Sequence, residues 1–194
     1  MPTRVVIAED EAIIRLDLRE ILEEEGYEVV AETGRGDEAV ALVKEHQPDV
    51  VILDIRMPGM DGLDAARQIA GDRQAAVLML TAFSQRDLIE QARDAGALAY
   101  LVKPFARNDL IPQIEVALGR HRELQALAKE VDSLEQQIET RRLVDRAKGI
   151  LMDERGLKEH DAFSWIQRTA MQSRVTMREV ARRVIDEGLR PEAA

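Results

Sequence analysis

Short apolar runs alternate with amphipathic segments over the first 120 of the 194 residues. The length and β-like composition of the apolar runs predict buried strands. These runs lie at 5–8, 28–31, 50–53, 76–80 and 99–102. The segments between them carry apolar residues three or four positions apart, which predicts helices. These helices lie at about 11–25, 37–45, 63–69, 87–95 and 109–118. Strands joined by crossover helices predict an α/β fold, a five-stranded, doubly wound, flavodoxin-like parallel sheet.

The pattern changes after Leu118 to an unbroken helix. Five apolar residues in this helix are three or four positions apart, which is the spacing of a coiled-coil seam. They are Leu124, Leu127, Val131, Leu134 and Ile138. Because the seam covers only about two to three heptads, it is a conditional dimer interface, and a helix docked on its own chain is the alternative.

The end of the chain predicts three helices. The first continues to Gly156, the second covers about 159–172, and the third begins at a capping box of Thr176 and Glu179 and ends at Gly188. Their spacing predicts one small core, centred on Phe163, Trp165, Val180 and Val184. The predicted domains are the sheet domain at 1–120, a helical coiled-coil linker at 121–140 and an all-α three-helix domain at 141–190.

Composition narrows the class of protein. The chain is 45% hydrophobic and 33% charged, and it has no apolar run long enough for a membrane span. Its first apolar segment soon meets Glu9 and Asp10, which is unlike a signal peptide, so a cytoplasmic protein without membrane contact is expected. The absence of cysteine excludes disulfides and thiol catalysis, and three scattered histidines form no metal cluster.

Charge is distributed unevenly along the chain. Residues 1–120 carry 13 Lys and Arg against 23 Asp and Glu, which leaves −10, whereas residues 137–190 carry 12 against 9, which leaves +3. A change in composition therefore falls near residue 120. The mildly basic block can meet nucleic acid, or it can be a solvated helix surface.

Polar and charged side chains follow four of the predicted strands. Glu9 and Asp10 follow the first strand, Asp54 the third, Thr81 the fourth and Lys103 the fifth. The carboxyl ends of parallel strands share the edge at which α/β proteins bind ligands. Three carboxylates in one cleft repel one another, and an oxygen-preferring cation such as Mg²⁺ relieves the repulsion. A carboxylate beside a metal and a lysine can attack phosphorus, which predicts phosphorylation of Asp54.

Each of these residues also has a common structural role when it stands alone. Glu9 or Asp10 can favour a helix N-terminus, Thr81 can cap a strand and Lys103 can be a surface lysine. Their joint placement at neighbouring strand ends favours the site. The Lys103-Pro104 peptide is in addition a candidate cis bond.

Residues 3–120 resemble the receiver domain of two-component response regulators. The matching motifs are Glu9-Asp10, Asp54, Met57-Pro58-Gly59-Met60-Asp61-Gly62, Thr81-Ala82 and Lys103-Pro104-Phe105. The resemblance implies phosphoryl transfer from a sensor histidine kinase to Asp54, with Thr81 and Lys103 assisting. It implies Mg²⁺ held by Asp10, Asp54 and the backbone carbonyl of Arg56, with Glu9 acting through water. Thr81 and Tyr100 match the switch pair of the family, although Tyr100 can also be an ordinary strand residue.

Residues 137–190 resemble the ANTAR domain, an RNA-binding three-helix module of transcription antiterminators. The specific motif is Ala147-Lys148-Gly149-Ile150-Leu151-Met152. The order of receiver, helical linker and ANTAR resembles phosphorylation-dependent transcriptional antitermination regulators of actinobacteria. This implies a homodimer promoted by phosphorylation that binds structured RNA through paired hairpin loops. The candidate RNA-binding residues are Arg146, Ala147, Lys148, Gly149, Arg178 and Arg182.

Two other outputs stay open for the helical domain. A DNA-binding helix-turn-helix is one, although the loop at 171–175 looks longer than such a turn and lacks its frequent glycine. A protein-interaction module is the other, favoured by the net charge of −10. An enzymatic output is not expected, because the domain offers no nucleophile and base pair.

Overall fold

A computed structural model of the protein describes residues 1–82 and 86–191. Its strands are β1 (Arg4–Ala8), β2 (Glu28–Thr33), β3 (Val50–Asp54), β4 (Ala76–Thr81) and β5 (Ala99–Val102). Its helices are α1 (Ala12–Glu24), α2 (Gly36–His46), α3 (Gly62–Gly71), α4 (Arg86–Asp94), α5 (Arg107–Arg155), α6 (Glu159–Ser173) and α7 (Met177–Asp186). The predicted element types are confirmed, and most predicted ends differ from these by one or two residues.

The five strands form one parallel sheet in the order β2-β1-β3-β4-β5. Alternate side chains of a strand point to opposite faces, so Val51 and Leu53 of β3 enter one core while Val50 and Ile52 enter the other. Helices α2, α3 and α4 contribute to the first core, and α1 and α5 to the second. The doubly wound α/β fold is therefore confirmed, with β1, β3, β4 and β5 as successive neighbours.

Helix α5 is a single helix of 49 residues. It joins the predicted fifth helix, the linker and the first helix of the last domain without interruption. The chain divides by its contacts into two compact units, Met1–Ala126 and Leu127–Ala194. Among the described residues, no helix combines the length and the apolar composition that a membrane span requires.

The second unit has a small core built from three helices. Residues three or four apart on α5, α6 and α7 meet in it, and the buried members include Val144, Leu151, Ile166, Val180 and Val184. The capping box at the start of α7 is confirmed, because the Thr176 hydroxyl accepts from the Glu179 backbone N–H and the Glu179 carboxylate accepts from that of Thr176. This cap contributes about 1 kcal/mol to the stability of α7, a helix of only 10 residues.

Two expectations for this unit are wrong. Phe163 was expected in the core but is 39% exposed. It lies on α6 directly after the core residue Ala162 and points away from the core, whereas Trp165 is partly buried and packs against the core. The connection between α6 and α7 is also short, since only residues 174–176 separate the helices. Arg174 adopts the left-handed conformation, with φ of 53°, that a glycine often occupies in such a turn.

Candidate functional site

The carboxyl edge of the sheet brings the predicted site residues together. Glu9 and Asp10 follow β1, Asp54 ends β3, Thr81 ends β4 and Lys103 follows β5. The strand register fixes how far along the sheet each side chain lies. Asp54 pairs with Leu80, one residue before Thr81, and Thr81 pairs with Val102, one residue before Lys103. Four neighbouring strands thus deliver these side chains to one place from positions up to 94 residues apart.

Lys103 links two acidic side chains in this site. Its Nζ lies 2.6 Å from Oε2 of Glu9 and 3.1 Å from Oδ1 of Asp54. Glu9 is fully buried and Asp54 is 7% exposed, so neither carboxylate is well solvated. Because unpaired buried charges are costly, the lysine is needed where two ionised carboxylates meet.

Burial and pairing act on the pKa values of these three residues. Burial raises the pKa of the Asp54 carboxyl above its ordinary value, and attraction to Lys103 offsets only part of the effect. Burial also raises the pKa of Glu9, although a hydrogen bond from Lys103 opposes it. Burial alone would lower the pKa of Lys103, but the hydrogen bond to Glu9 and the attraction of Asp54 outweigh it and raise that pKa. The ammonium group is therefore held in its charged form.

Three carboxylates form a cluster that suits a cation. One carboxylate oxygen from each of Glu9, Asp10 and Asp54 lies within 4.8 Å of the others. Asp10 is exposed while the other two are buried, so the cluster opens to solvent on the Asp10 side. Oxygen donors at this density fit a hard divalent cation such as Mg²⁺, which retains several waters when bound.

A cavity of about 190 Å³ opens beside the acidic cluster. Its lining includes Asp10, Asp54, Arg56, Thr81 and Lys103. Thr81 is buried at the wall of this cavity, and its backbone carbonyl accepts a hydrogen bond of 2.8 Å from the Lys103 N–H. The cavity lets a small anionic group reach Asp54 while the lysine and the threonine flank it.

Two further expectations concern β5 and the residues after it. The Lys103-Pro104 peptide is cis, as predicted. Tyr100 pairs with Met79 of β4 and is 44% exposed, so its ring faces outward. A switch in which this ring turns inward would therefore be a change from this conformation.

Gly62 and Asp61 shape the loop that follows Asp54, and sequence reasoning singled them out only as part of a motif. A Cβ atom on Gly62 would lie 1.9 Å from the Asp54 carbonyl oxygen, so only glycine fits this approach of α3 to β3. The Gly62 N–H donates to the Ile55 carbonyl at 2.8 Å. The Asp61 carboxylate accepts from the Leu63 N–H at 2.7 Å and caps α3. These contacts hold the loop that carries Arg56.

The predicted RNA-binding residues fall into different environments. Ala147 is fully buried in the core of the second unit, so its methyl group is covered by protein, and its place among the RNA-binding residues stays a prediction. Lys148 makes two contacts of 2.8 Å, one to Asp145 and one to Glu159. Both raise the pKa of Lys148, and the hydrogen bond to Asp145 has the larger effect. Asp145 is a helical neighbour of Lys148, three residues earlier, but no local pattern indicates the contact with Glu159.

The other candidate RNA-binding residues lie nearer the surface. Arg146 and Arg182 are exposed, and Gly149 is partly exposed. Arg178 is partly buried at a groove whose other charged lining residues are acidic. These acids are Asp132, Glu135 and Glu139. Arg146 and Arg182 are therefore the candidates with the best access to a phosphate.

Two families of protein domains match the chain. The response regulator receiver domain matches residues 5–115, and the ANTAR domain matches residues 132–185. The chain therefore belongs to the response regulators, and its receiver domain is followed by an ANTAR domain.

Individual relatives agree with this assignment. The chain is 59% identical over 186 residues to the transcriptional regulatory protein PdtaR of Mycobacterium tuberculosis, covering 96% of this chain and 91% of that protein. A two-component response regulator of the LuxR family from Aurantimonas sp. SI85-9A1 is 33% identical, with a TM-score of 0.58 over 61% of this chain and 86% of that one. A chain in the CheX–CheY–BeF3–Mg complex of Borrelia burgdorferi is 31% identical, with a TM-score of 0.56 over 59% of this chain and 87% of that one. The likeness to the two solved structures thus covers about three fifths of the chain.

Proposed function

We propose that this protein is a phosphorylation-dependent, RNA-binding transcription antiterminator in which Asp54 accepts a phosphoryl group from a sensor histidine kinase. The observation that carries the proposal is the contact of 3.1 Å between Lys103 Nζ and Asp54 Oδ1 beside an open acidic cluster. An ANTAR domain in the same chain supports RNA as the target of the output. The expected setting is the cytoplasm, where kinase and transcripts meet.

The chain's own residues supply most of the chemistry at Asp54. One carboxylate oxygen of Asp54 attacks phosphorus, and the bond from phosphorus to the kinase imidazole nitrogen breaks. Lys103 would offset negative charge on the transferring oxygens, and the hydroxyl of Thr81, a residue that lines the cavity, would donate to one of them. Asp10, Asp54 and the Arg56 carbonyl would hold Mg²⁺, with Glu9 acting through water. The bound ion would neutralise charge on the phosphoryl oxygens.

Phosphorylation would reach the output through the pair Thr81 and Tyr100. A phosphoryl group on Asp54 would attract the Thr81 hydroxyl toward it. The Tyr100 ring, which is 44% exposed in the unphosphorylated chain, would then turn into the space that Thr81 leaves. Such a change shifts the equilibrium between two conformations of the receiver that present different surfaces. The free energy for the shift comes from the contacts that the phosphoryl group makes in only one of them.

The output would be a homodimer that holds two RNA hairpin loops. The seam residues of α5 are 50–58% exposed, so a second copy could cover them. They are Leu124, Leu127, Val131, Leu134 and Ile138. Pairing two weak RNA-binding modules raises the overall affinity through effective concentration. The short seam makes pairing dependent on the state of the receiver.

The test measures phosphorylation and RNA binding separately. Acetyl phosphate with Mg²⁺ should label the wild-type chain once, and Asp54→Asn should abolish labelling. Affinity for a two-hairpin RNA should rise at least about threefold on phosphorylation of the wild type and stay constant in Asp54→Asn. Labelling of Asp54→Asn at normal stoichiometry would overturn the site assignment. A smaller rise in the wild type would overturn the gating step alone.

One observation favours a second candidate, a DNA-binding helix-turn-helix formed by α6 and α7. The connection of three residues, 174–176, has the length of such a turn. Arg182 and Arg183 are exposed on the second helix of the pair. A titration with duplex DNA in the presence of structured RNA decides between the candidates, because the preferred ligand displaces the other.

A further inference from the structure

A groove of about 600 Å³ lies within the second unit, between α5 and the first turns of α6 and α7. On α5 it is lined by residues between Ser133 and Lys148, on α6 by Phe163 and on α7 by Met177. Val144, buried in the core of the unit, lies beneath it. The groove is thus part of the packed helical module and needs no second chain to form.

Phe163 is the notable side chain of this groove. Residues 127–194 contain only two aromatic residues, Phe163 and Trp165, and Trp165 packs against the core. Phe163 is 39% exposed, although burying a phenylalanine side chain would contribute about 1.5–3 kcal/mol. Its place is not explained by the core of the unit, so the exposed ring is available to a ligand.

The polar groups around Phe163 suit a nucleotide. Gln136 and Gln137 line the groove with amide groups, which both donate and accept hydrogen bonds as base edges require. Arg141 and Lys148 line it with positive charge. Asp145 also lines the groove and lies 4.0 Å from Arg141 Nε, but the Arg141 side chain is 87% exposed and can turn to a phosphate. Lys148 contacts both Asp145 and Glu159 at 2.8 Å. An aromatic face, amides and an exposed cation together match the way single-stranded RNA loops are recognised.

The groove faces a different direction from the coiled-coil seam. Successive residues of a helix are separated by about 100°, so the groove residues Gln137 and Val144 lie roughly a third of a turn from Val131 and Ile138 of the seam. A second copy that pairs along residues 124–138 would leave the face of Gln137 and Val144 open. The charged and amide lining also differs from the apolar face that a paired helix requires.

We propose that this groove is the subsite for an unpaired base of an RNA hairpin loop, with the base stacked on Phe163 and the adjoining phosphate near Arg141. The proposal rests on the RNA-binding function proposed above and names the place at which one loop nucleotide is held. Stacking on an aromatic ring tolerates any base, so the amides of Gln136 and Gln137 would supply the preference among bases.

The test uses the full chain, phosphorylated with acetyl phosphate, and one two-hairpin RNA enriched by the wild type from a pool with randomised loops. Phe163→Ala should weaken binding of this RNA about 5- to 100-fold, the range of one lost stacked base. Phe163→Leu keeps an apolar side chain and should lose nearly as much, whereas Phe163→Tyr should bind within about twofold of the wild type. Met171→Ala is the matched control, because Met171 is an exposed apolar residue of the same helix and does not line the groove.

A scan of the loop with abasic nucleotides then identifies the stacked base. At one loop position, removal of the base should lower the affinity of the RNA for the wild-type protein at least about fivefold. The same removal should lower the affinity for Phe163→Ala less than about twofold. Equal binding by Phe163→Ala and Met171→Ala would overturn the subsite while leaving RNA binding intact. Failure of the wild type to enrich any RNA would instead overturn the proposed function, and the subsite with it.

A photocrosslink distinguishes RNA from a second copy of the chain. With benzoylphenylalanine in place of Phe163, irradiation should join the protein to the enriched RNA. Protein-to-protein linkage at this position, with or without RNA, would show that the groove is an interface between copies and would overturn the proposal.

Discussion

Lys103 Nζ lies 3.1 Å from Oδ1 of Asp54, and this contact joins the end of β5 to the end of β3 across the intervening strand β4. The same nitrogen lies 2.6 Å from Glu9 Oε2, after β1. One ammonium group therefore balances two buried carboxylates from separate strands. The stability of the receiver and the proposed reactivity of Asp54 would therefore depend on the same side chain.

Lys103→Met should destabilise the receiver. The substitution keeps the apolar stem but leaves Glu9 and Asp54 buried without their cation, at a cost of about 2–4 kcal/mol in the free energy of unfolding. Urea denaturation at pH 7, followed by circular dichroism, measures this. Lys44→Met, at an exposed lysine of α2, is the control and should change stability by less than about 0.5 kcal/mol. Equal effects of the two substitutions would show that the ion pairs at Lys103 contribute nothing.

Asp54→Asn should stabilise the protein increasingly as the pH rises. Because the folded-state pKa of Asp54 is raised above 3.8, its protonated form stabilises the folded state, and that contribution is lost as the pH rises through the folded-state pKa. Asparagine does not ionise, so the variant keeps the stability that the wild type loses when Asp54 becomes charged. The difference in free energy of unfolding should grow upward from about pH 3.8 and then level.

Asp37→Asn supplies the opposite sign as a control for that titration. The hydrogen bond from Arg35 lowers the pKa of Asp37, so its ionised form stabilises the folded state above its ordinary pKa. This variant should therefore lose stability relative to the wild type as the pH rises toward 3.8 and stay level above it, whereas the Asp54→Asn difference grows only from there upward. Parallel pH profiles for the two variants would contradict the assigned pKa directions.

Mg²⁺ should bind to the receiver at the acidic cluster, and Asp10→Asn should weaken that binding. Loss of one of three neighbouring carboxylates removes a ligand and a negative charge, so affinity should fall roughly tenfold or more. Isothermal titration calorimetry of the full chain with MgCl₂ measures the change. Asp17→Asn, at an exposed acid on α1, should bind Mg²⁺ as the wild type does. An unchanged affinity in Asp10→Asn would place the ion elsewhere.

Gly62→Ala should destabilise the site through its backbone. The added Cβ would lie 1.9 Å from the Asp54 carbonyl oxygen, so α3 must move away from β3 at a cost of about 1–3 kcal/mol. Gly119→Ala on α5 is the matched control, because nothing lies within 4 Å of its added Cβ. There the change should stabilise the helix by about 0.5–1 kcal/mol. Thermal unfolding of both variants should therefore shift in opposite directions.

The position of the site could be predicted from the sequence because strand ends are local features. An apolar run followed directly by Asp54, or by Lys103, predicts a polar residue at the carboxyl edge of a parallel sheet. The polar ends of neighbouring strands then lie close together whatever the details of packing. This reasoning reached Glu9, Asp10, Asp54, Thr81 and Lys103, all of which meet at the edge.

The helical module was predicted less well because helical periodicity leaves the rotation of a helix open by one position. Ala162 and Phe163 are adjacent, and only the packing of α6 against α5 and α7 buries the alanine and exposes the phenylalanine. On α5, the packing of the three helices likewise buries Ala147 and brings Lys148 beside Glu159 of α6. Glu159 is 11 residues from Lys148, so no local pattern connects them.

The doubly wound sheet, its acidic edge and the helical extension follow from short-range alternation of apolar and polar residues, so they could be read from the chain alone. Three features required the packed molecule: the contact of Lys103 with both Glu9 and Asp54, the need for glycine at position 62, and the place of Phe163 at an open groove. These contacts join residues that are distant in the chain or settle which face of a helix is buried. Both depend on how whole elements pack, which side-chain periodicity within one element does not specify.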